Sequence, residues 1–121
     1  AVLTRDFIKP NGLCFTPDES GLYLADTERS AVHVCDPASG DHHLFCRVDR
    51  PDGLEVDQAG NLFVASLSGV AVFDPLGAQV GTIPLPERPT NLEFGEADRR
   101  TLYITAGTSL YRVRVPVAGP Q

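Results

Sequence analysis

Oxygen-bearing side chains stand at matching places in a repeated segment of this 121-residue sequence. Pro10-Asn11-Gly12-Leu13 recurs as Pro51-Asp52-Gly53-Leu54, and a blurred third copy reads Pro89-Thr90-Asn91-Leu92. Asn11 offers a neutral amide oxygen and Asp52 an anionic carboxylate, and a hard cation takes oxygen ligands of both kinds. The glycine that follows each permits a tight turn and close backbone approach. The same two residues could instead only shape turns, as short Asx side chains do. Thr90 holds the aligned position in the third copy; a threonine is a poor cation ligand and is not counted.

The elements that must position these residues follow from the spacing. The copies are separated by a step of 41 residues and then one of 38. Self-similarity with a period near forty is the signature of stacked repeats, and a four-stranded propeller blade has about that length. The first repeat divides into strands at Gly12–Thr16, Leu22–Asp26, Ala31–Asp36 and His42–Arg47. The second gives Gly53–Val56, Leu62–Ser66, Val70–Asp74 and Gln79–Ile83. The third gives Asn91–Phe94, Thr101–Ala106 and Ser109–Val115, and is one strand short. All are short, rich in β-branched and aromatic residues, and bounded by Gly, Pro and Asp. No window has a useful helical period. The fold class expected is therefore all-β, with about three propeller blades: one over about 10–47, a second over about 51–85, and an incomplete third over about 89–117 that lacks its outer strand. Asn11 and Asp52 each precede the innermost strand of a blade, so both side chains can point into an axial channel. Closed propellers have four to eight blades. Under three blades would leave apolar faces open, and such faces imply a partner or more of the molecule. Two copies related by a twofold axis would make six blades.

The remaining reactive residues read as structural. Cys14, Cys35 and Cys46 lack CxxC spacing, and Cys14 alternates with Leu13 and Phe15 like a small hydrophobe. Three reduced thiols point to a reducing, cytoplasmic compartment. His33 faces away from Val32 and Val34, and the adjacent His42 and His43 point to opposite faces of a strand. No histidine pair shows metal-ligand spacing in the sequence. Ser66, Ser68 and Ser109 lack a nucleophile-elbow context. Asn61 follows Gly60 in a hairpin turn. Arg99 and Arg100 read as solvated surface, and Asp26 as the cap of its turn, with support of the site as the alternative.

Composition narrows the function classes. The net charge of −6 and the lack of a basic patch argue against a nucleic-acid partner. No apolar run nears the roughly 20 residues of a membrane helix, and no signal-peptide pattern opens the chain. The sequence has no methionine, so Ala1 is not expected to be the natural start, and Ala1-Val2-Leu3 resembles the tail of a strand with missing partners.

A set of motifs carries a resemblance: Lys9 to Leu13, Phe15 to Glu19, Leu22 to Thr27, Arg50 to Leu54, Asp57 to Ala65, Gly69 to Pro75, Ile83 to Pro86 and Thr101 to Thr105. In this order and spacing they resemble the C-terminal half of the SMP-30/gluconolactonase family, also called regucalcin-like. The resemblance implies a six-bladed propeller, of which this chain would be half, with a divalent cation in the central channel, calcium first and zinc as the alternative. It implies hydrolysis of sugar-acid lactones. It places two metal ligands on Asn11 and Asp52; Asp52, which can touch both metal and water, is then the expected catalytic general base. A third ligand of that set, a glutamate of the family's first blade, has no matching motif here. Lactonase activity is therefore expected only once further blades complete the channel, by a homodimer or otherwise. The alternative is a non-catalytic propeller segment that oligomerises through its open blade faces.

Overall fold

The computed structural model describes residues 1–116 and 119, in which there are strands and no helix. In chain order the strands are β1 (Pro10–Phe15), β2 (Leu22–Asp26), β3 (Ala31–Cys35), β4 (His42–Arg47), β5 (Leu54–Val56), β6 (Leu62–Ser66), β7 (Gly69–Phe73), β8 (Gln79–Ile83), β9 (Pro89–Gly95), β10 (Thr101–Ala106) and β11 (Ser109–Arg114). They form three antiparallel meanders: β1-β2-β3-β4, β5-β6-β7-β8 and β9-β10-β11. This is the all-β propeller-type architecture expected from the repeat, with a third sheet of three strands among the described residues. The expected end of the third unit, residue 117, lies outside the described residues. Ala1 to Leu3 take no part in a sheet.

The turns are closed by side chains that give the backbone an alternative partner. Asp18 Oδ1 accepts from the Ser20 N–H at 3.0 Å and from the Thr16 and Ser20 hydroxyls at 2.8 Å each. Buried Asp57 does the same between β5 and β6, where Oδ1 accepts from the Ala59 and Asn61 N–H groups at 3.0 and 2.9 Å. Gly60 follows with φ at 89°, a left-handed conformation that glycine adopts without steric cost.

Packing comes from alternation. Tyr23, Ala25 and Val32 of the first sheet meet Leu54, Leu62, Val64 and Phe73 of the second. Phe63, Ala65 and Val70, from the opposite face of the second sheet, meet Leu92, Phe94, Leu102 and Ile104 of the third. The second sheet is thus sandwiched, and every residue of β6 is buried. The first sheet has no such cover on its other face. Leu13 and Phe15 are 58% and 47% exposed, whereas their counterparts Leu54, Val56, Leu92 and Phe94 are exposed by 5% or less. At the heads of the sheets, β1 packs against β5 and β5 against β9.

Candidate functional site

Asn11 and Asp52 lie at bulges that open the innermost strands. In the first sheet the ladder passes from the Pro10–Asp26 pair to the Leu13–Leu24 pair, so Asn11 and Gly12 together oppose Ala25. In the second, the Asp52 N–H donates to the Ala65 carbonyl at 2.8 Å and the Ala65 N–H donates to the Gly53 carbonyl at 2.9 Å. The third repeats the pattern, with Thr90 extra between the Pro89–Ala106 and Asn91–Thr105 pairs. Two residues against one locally breaks the ladder and re-aims a side chain.

The three bulged segments touch. A Cβ built on Gly12 would stand 2.0 Å from the Asp52 carbonyl oxygen, and one on Gly53 would stand 2.4 Å from Asn91 Oδ1 and 2.7 Å from Asn91 Cα. Only glycine fits these crossings. The Gly53 N–H also donates to the Thr90 carbonyl at 3.0 Å. Stacking of the sheets therefore joins loops that are far apart in sequence.

The side chains at the three bulges are committed differently. Among the described residues, the Asn11 amide and the Asp52 carboxylate have no hydrogen-bond or ion-pair partner; Asn11 is exposed and Asp52 half-buried. The Thr90 hydroxyl is engaged with its own sheet, 3.3 Å from the Thr105 carbonyl and 3.1 Å from Thr105 Oγ1. An uncommitted amide oxygen and carboxylate suit a hard divalent cation rather than a thiophilic one. Among the described residues no three His, Cys, Asp or Glu side chains group as a metal cluster. A cation held by Asn11 and Asp52 would fill its other positions with water or with ligands from elsewhere.

The backbone leading into both bulges is tied down. Asp26 is fully buried, and its carboxylate accepts from the Ile8 N–H at 3.0 Å and the Lys9 N–H at 2.9 Å. Burial pushes this carboxyl up, but those two N–H groups, with Arg29 nearby, outweigh burial and hold it below the usual carboxylate range. The expected role as cap of its own turn is the smaller part, since the Arg29 N–H contributes less than Ile8 and Lys9. The Thr27 N–H donates to the Lys9 carbonyl at 3.1 Å, and the Thr27 hydroxyl donates to the Pro51 carbonyl at 2.7 Å.

Two further features escape sequence reasoning. Glu55, three residues after Asp52, points between the second and third sheets. Burial pushes its carboxyl up to about 7, and the charge of Glu93 adds to this. On the outer face of the first sheet, which carries no further sheet but is met by Asp6 and Phe7, His33 Nδ1 and His42 Nδ1 are 3.1 Å apart, and His42 Nε2 is 2.9 Å from Asp6 Oδ2. Phe7 packs on both imidazoles. Burial and then the charge of His42 hold His33 below the usual histidine range. The signal was the β3–β4 register: Cys35 pairs with His42 and His33 with Leu44, which puts the two histidines on one face as diagonal neighbours. Cys14, Cys35 and Cys46 are free thiols, and burial pushes Cys14 and Cys46 up to about 12, which disfavours the reactive thiolate. A depression of about 630 Å³ on the third sheet is lined by Glu96, Asp98, Arg112 and Arg114. It lies away from Asn11 and Asp52, and Arg114 is already paired with Asp98 at 2.8 Å.

Comparison with known proteins gives the family and the fold. Residues 1–108 match the family described as SMP-30/Gluconolactonase/LRE-like region. A gluconolactonase of Zymomonas mobilis is 32% identical over 92% of this chain and 36% of its own length. A 6-deoxy-6-sulfogluconolactonase of Pseudomonas putida is 37% identical over 87% of this chain and 40% of its own. The solved structure of a Xanthomonas campestris gluconolactonase superposes with a TM-score of 0.81 at 35% identity, over 97% of this chain and 40% of that one. A calcium-binding regucalcin of Agrobacterium tumefaciens shares the fold, with a TM-score of 0.84 at 19% identity, over 98% of this chain and 50% of that one. The chain therefore spans well under half the length of the curated relatives it matches. It belongs to the SMP-30/gluconolactonase/LRE-like family.

Proposed function

We propose that this chain supplies part of a divalent-cation-dependent lactone hydrolase, with Asn11 and Asp52 as cation ligands and Asp52 as general base. One observation carries the reading: two uncommitted oxygen side chains sit on bulged loops in mutual contact, in a chain 32% and 37% identical to proteins named as sugar-acid lactonases. The substrate class is a lactone of a sugar acid. Calcium suits the oxygen ligands best, with zinc as the alternative. When bound, the cation supplies Lewis-acid polarisation of the lactone carbonyl and a lowered pKa for water.

The chain's own residues supply the rest. Asn11 adds a ligand oxygen without adding charge. Asp52 accepts the proton of the attacking water as its oxygen bonds to the carbonyl carbon; the acyl C–O bond of the ring then breaks, and the proton passes to the released ring oxygen to give the open hydroxy acid. The Gly12 crossing holds the two loops in fixed relation, and the Gly53 crossing seats the second loop on the third sheet. Further sheets, from a second copy or from more of the same protein, complete the channel. The test is lactone hydrolysis by the assembled protein with calcium present, parent against Asp52→Asn. A loss of about 10²–10⁴-fold is expected for a general base. Undiminished hydrolysis would remove Asp52 from the mechanism.

A second reading, a non-catalytic assembly module, is favoured by one observation. Leu13, Phe15 and Leu44 are 44% to 58% exposed on the first sheet. Under this reading the face takes the third sheet of a second copy, as the second and third sheets each take the sheet before them. Sedimentation tests closure by a second copy, which a strict monomer at high concentration excludes; lactone hydrolysis by the assembled protein then separates the two readings.

A further inference from the structure

We propose that Asp26 and Thr27 are positioning residues that hold both ligand loops, one through its carboxylate and the other through its hydroxyl. This rests on the reading of Asn11 and Asp52 as a cation site. Both residues are buried, at 0% and 3% exposure. The Asp26 carboxylate receives the Ile8 and Lys9 N–H groups, which lie just ahead of Asn11. The Thr27 hydroxyl donates to the carbonyl of Pro51 at 2.7 Å, the residue directly before Asp52. The Thr27 N–H returns to the first loop through the Lys9 carbonyl at 3.1 Å. One dipeptide thus fixes the approach of two chain segments that meet at Gly12 and Asp52.

The repeat supplies an internal control. The places of Asp26 and Thr27 are taken by Ser66 and Leu67 in the second copy and by Ala106 and Gly107 in the third. Ser66 makes only a local bond within its own hairpin, to the Gly69 carbonyl at 2.7 Å. All three sheets share the first three strands of the meander and the bulge that opens it. Blade architecture therefore does not require the Asp-Thr pair. The pair occurs where one turn touches the loops of both Asn11 and Asp52. Absent from the third copy is also a ligand-type residue, since Thr90 stands there. Oxygen ligands need a fixed separation to share a cation, and a loosened loop loses that separation without losing the sheet.

The test uses the whole chain, isotope-labelled, with CaCl2 as the probe. Amide shifts of Asn11, Gly12, Asp52 and Gly53 report the cation, and amide hydrogen exchange without calcium reports the loops. Thr27→Val is expected to weaken calcium binding by about 10-fold, the equivalent of about 1.4 kcal/mol. Thr27→Ser, which keeps the hydroxyl, is expected to restore it to within about 2-fold, a rescue that general loss of structure would not show. Asp26→Asn turns one acceptor oxygen into an NH2 donor facing a backbone donor. Exchange at Ile8 or Lys9 should then rise by about 10-fold with the β6 amides unchanged. Equal calcium affinity in Thr27→Val and parent overturns the proposal. So does Thr27→Ser behaving like Thr27→Val. If the parent shows no calcium shift at all, the cation reading fails by itself. Positioning is then judged on exchange, and unchanged protection at Ile8, Lys9 and Asp52 in the variants overturns it.

Discussion

In the proposed site the two ligand side chains stand apart from their aligned counterpart by what they do not touch. Asn11 and Asp52 leave their oxygens uncommitted, whereas the aligned Thr90 hydroxyl is spent on Thr105. The residue types were legible in the sequence because the two copies align without a gap across Pro-x-Gly-Leu. The support beneath them was not. Asp26 reaches Ile8 and Lys9, and Thr27 reaches Pro51, through contacts that only folding creates. Glu55 gives a prediction at this scale. Its carboxyl is raised from 4.5 to about 7, first by burial and then by Glu93. Between those values the folded chain keeps a proton that the unfolded chain has lost. Folding stability therefore falls as pH rises from about 4.5 to about 7. Glu55→Gln removes this slope. The variant should have a higher urea midpoint than the parent above pH 7, with the gap closing in acid. The gain stays below what the full shift would give, because the carboxyl is partly solvated. Parallel midpoint-against-pH curves for the two proteins would contradict this.

Strands were the most readable elements. β2, β4, β6, β8 and β10 have the expected bounds, because β-branched and aromatic runs there are cut cleanly by Asp, Gly and Pro. The first strand of each repeat starts differently from expectation. β1 and β9 begin at Pro10 and Pro89, and β5 begins at Leu54, after Gly53. The cause is the bulge, a two-against-one pairing that side-chain alternation cannot register. The meeting of His33 and His42 was hidden although each histidine's face was predictable, because it depends on the cross-strand register, in which Cys35 pairs with His42 and His33 with Leu44. The glycines at the crossings yield a prediction for the elements. An added methyl at Gly53 meets the Asn91 backbone at 2.7 Å, and backbone cannot swing away as a side chain does. Gly53→Ala should destabilise by about 1–3 kcal/mol and broaden the amides of both neighbouring loops. Chemical denaturation with an unchanged midpoint would show that the crossing is looser than described.

For the molecule as a whole, the period of forty gave the sheets and their stacking, and the two interfaces follow from strict alternation along β6. The sequence could not show which faces stay uncovered, because Leu13 and Phe15 look the same as Leu54 and Val56 until neighbours are placed. No helix among the described residues is long and apolar enough to cross a membrane. In the proposed site, stacking brings Asn11 and Asp52 to one cation seat. The most direct measurement is paramagnetic broadening of backbone amides by substoichiometric Mn²⁺, read on the whole labelled chain. Broadening centred on residues 11–12 and 52–53 is expected, relieved by added calcium and lost in Asp52→Asn. Broadening centred instead on His33 and His42 or on Asp98, or none at any concentration that calcium would displace, would contradict it.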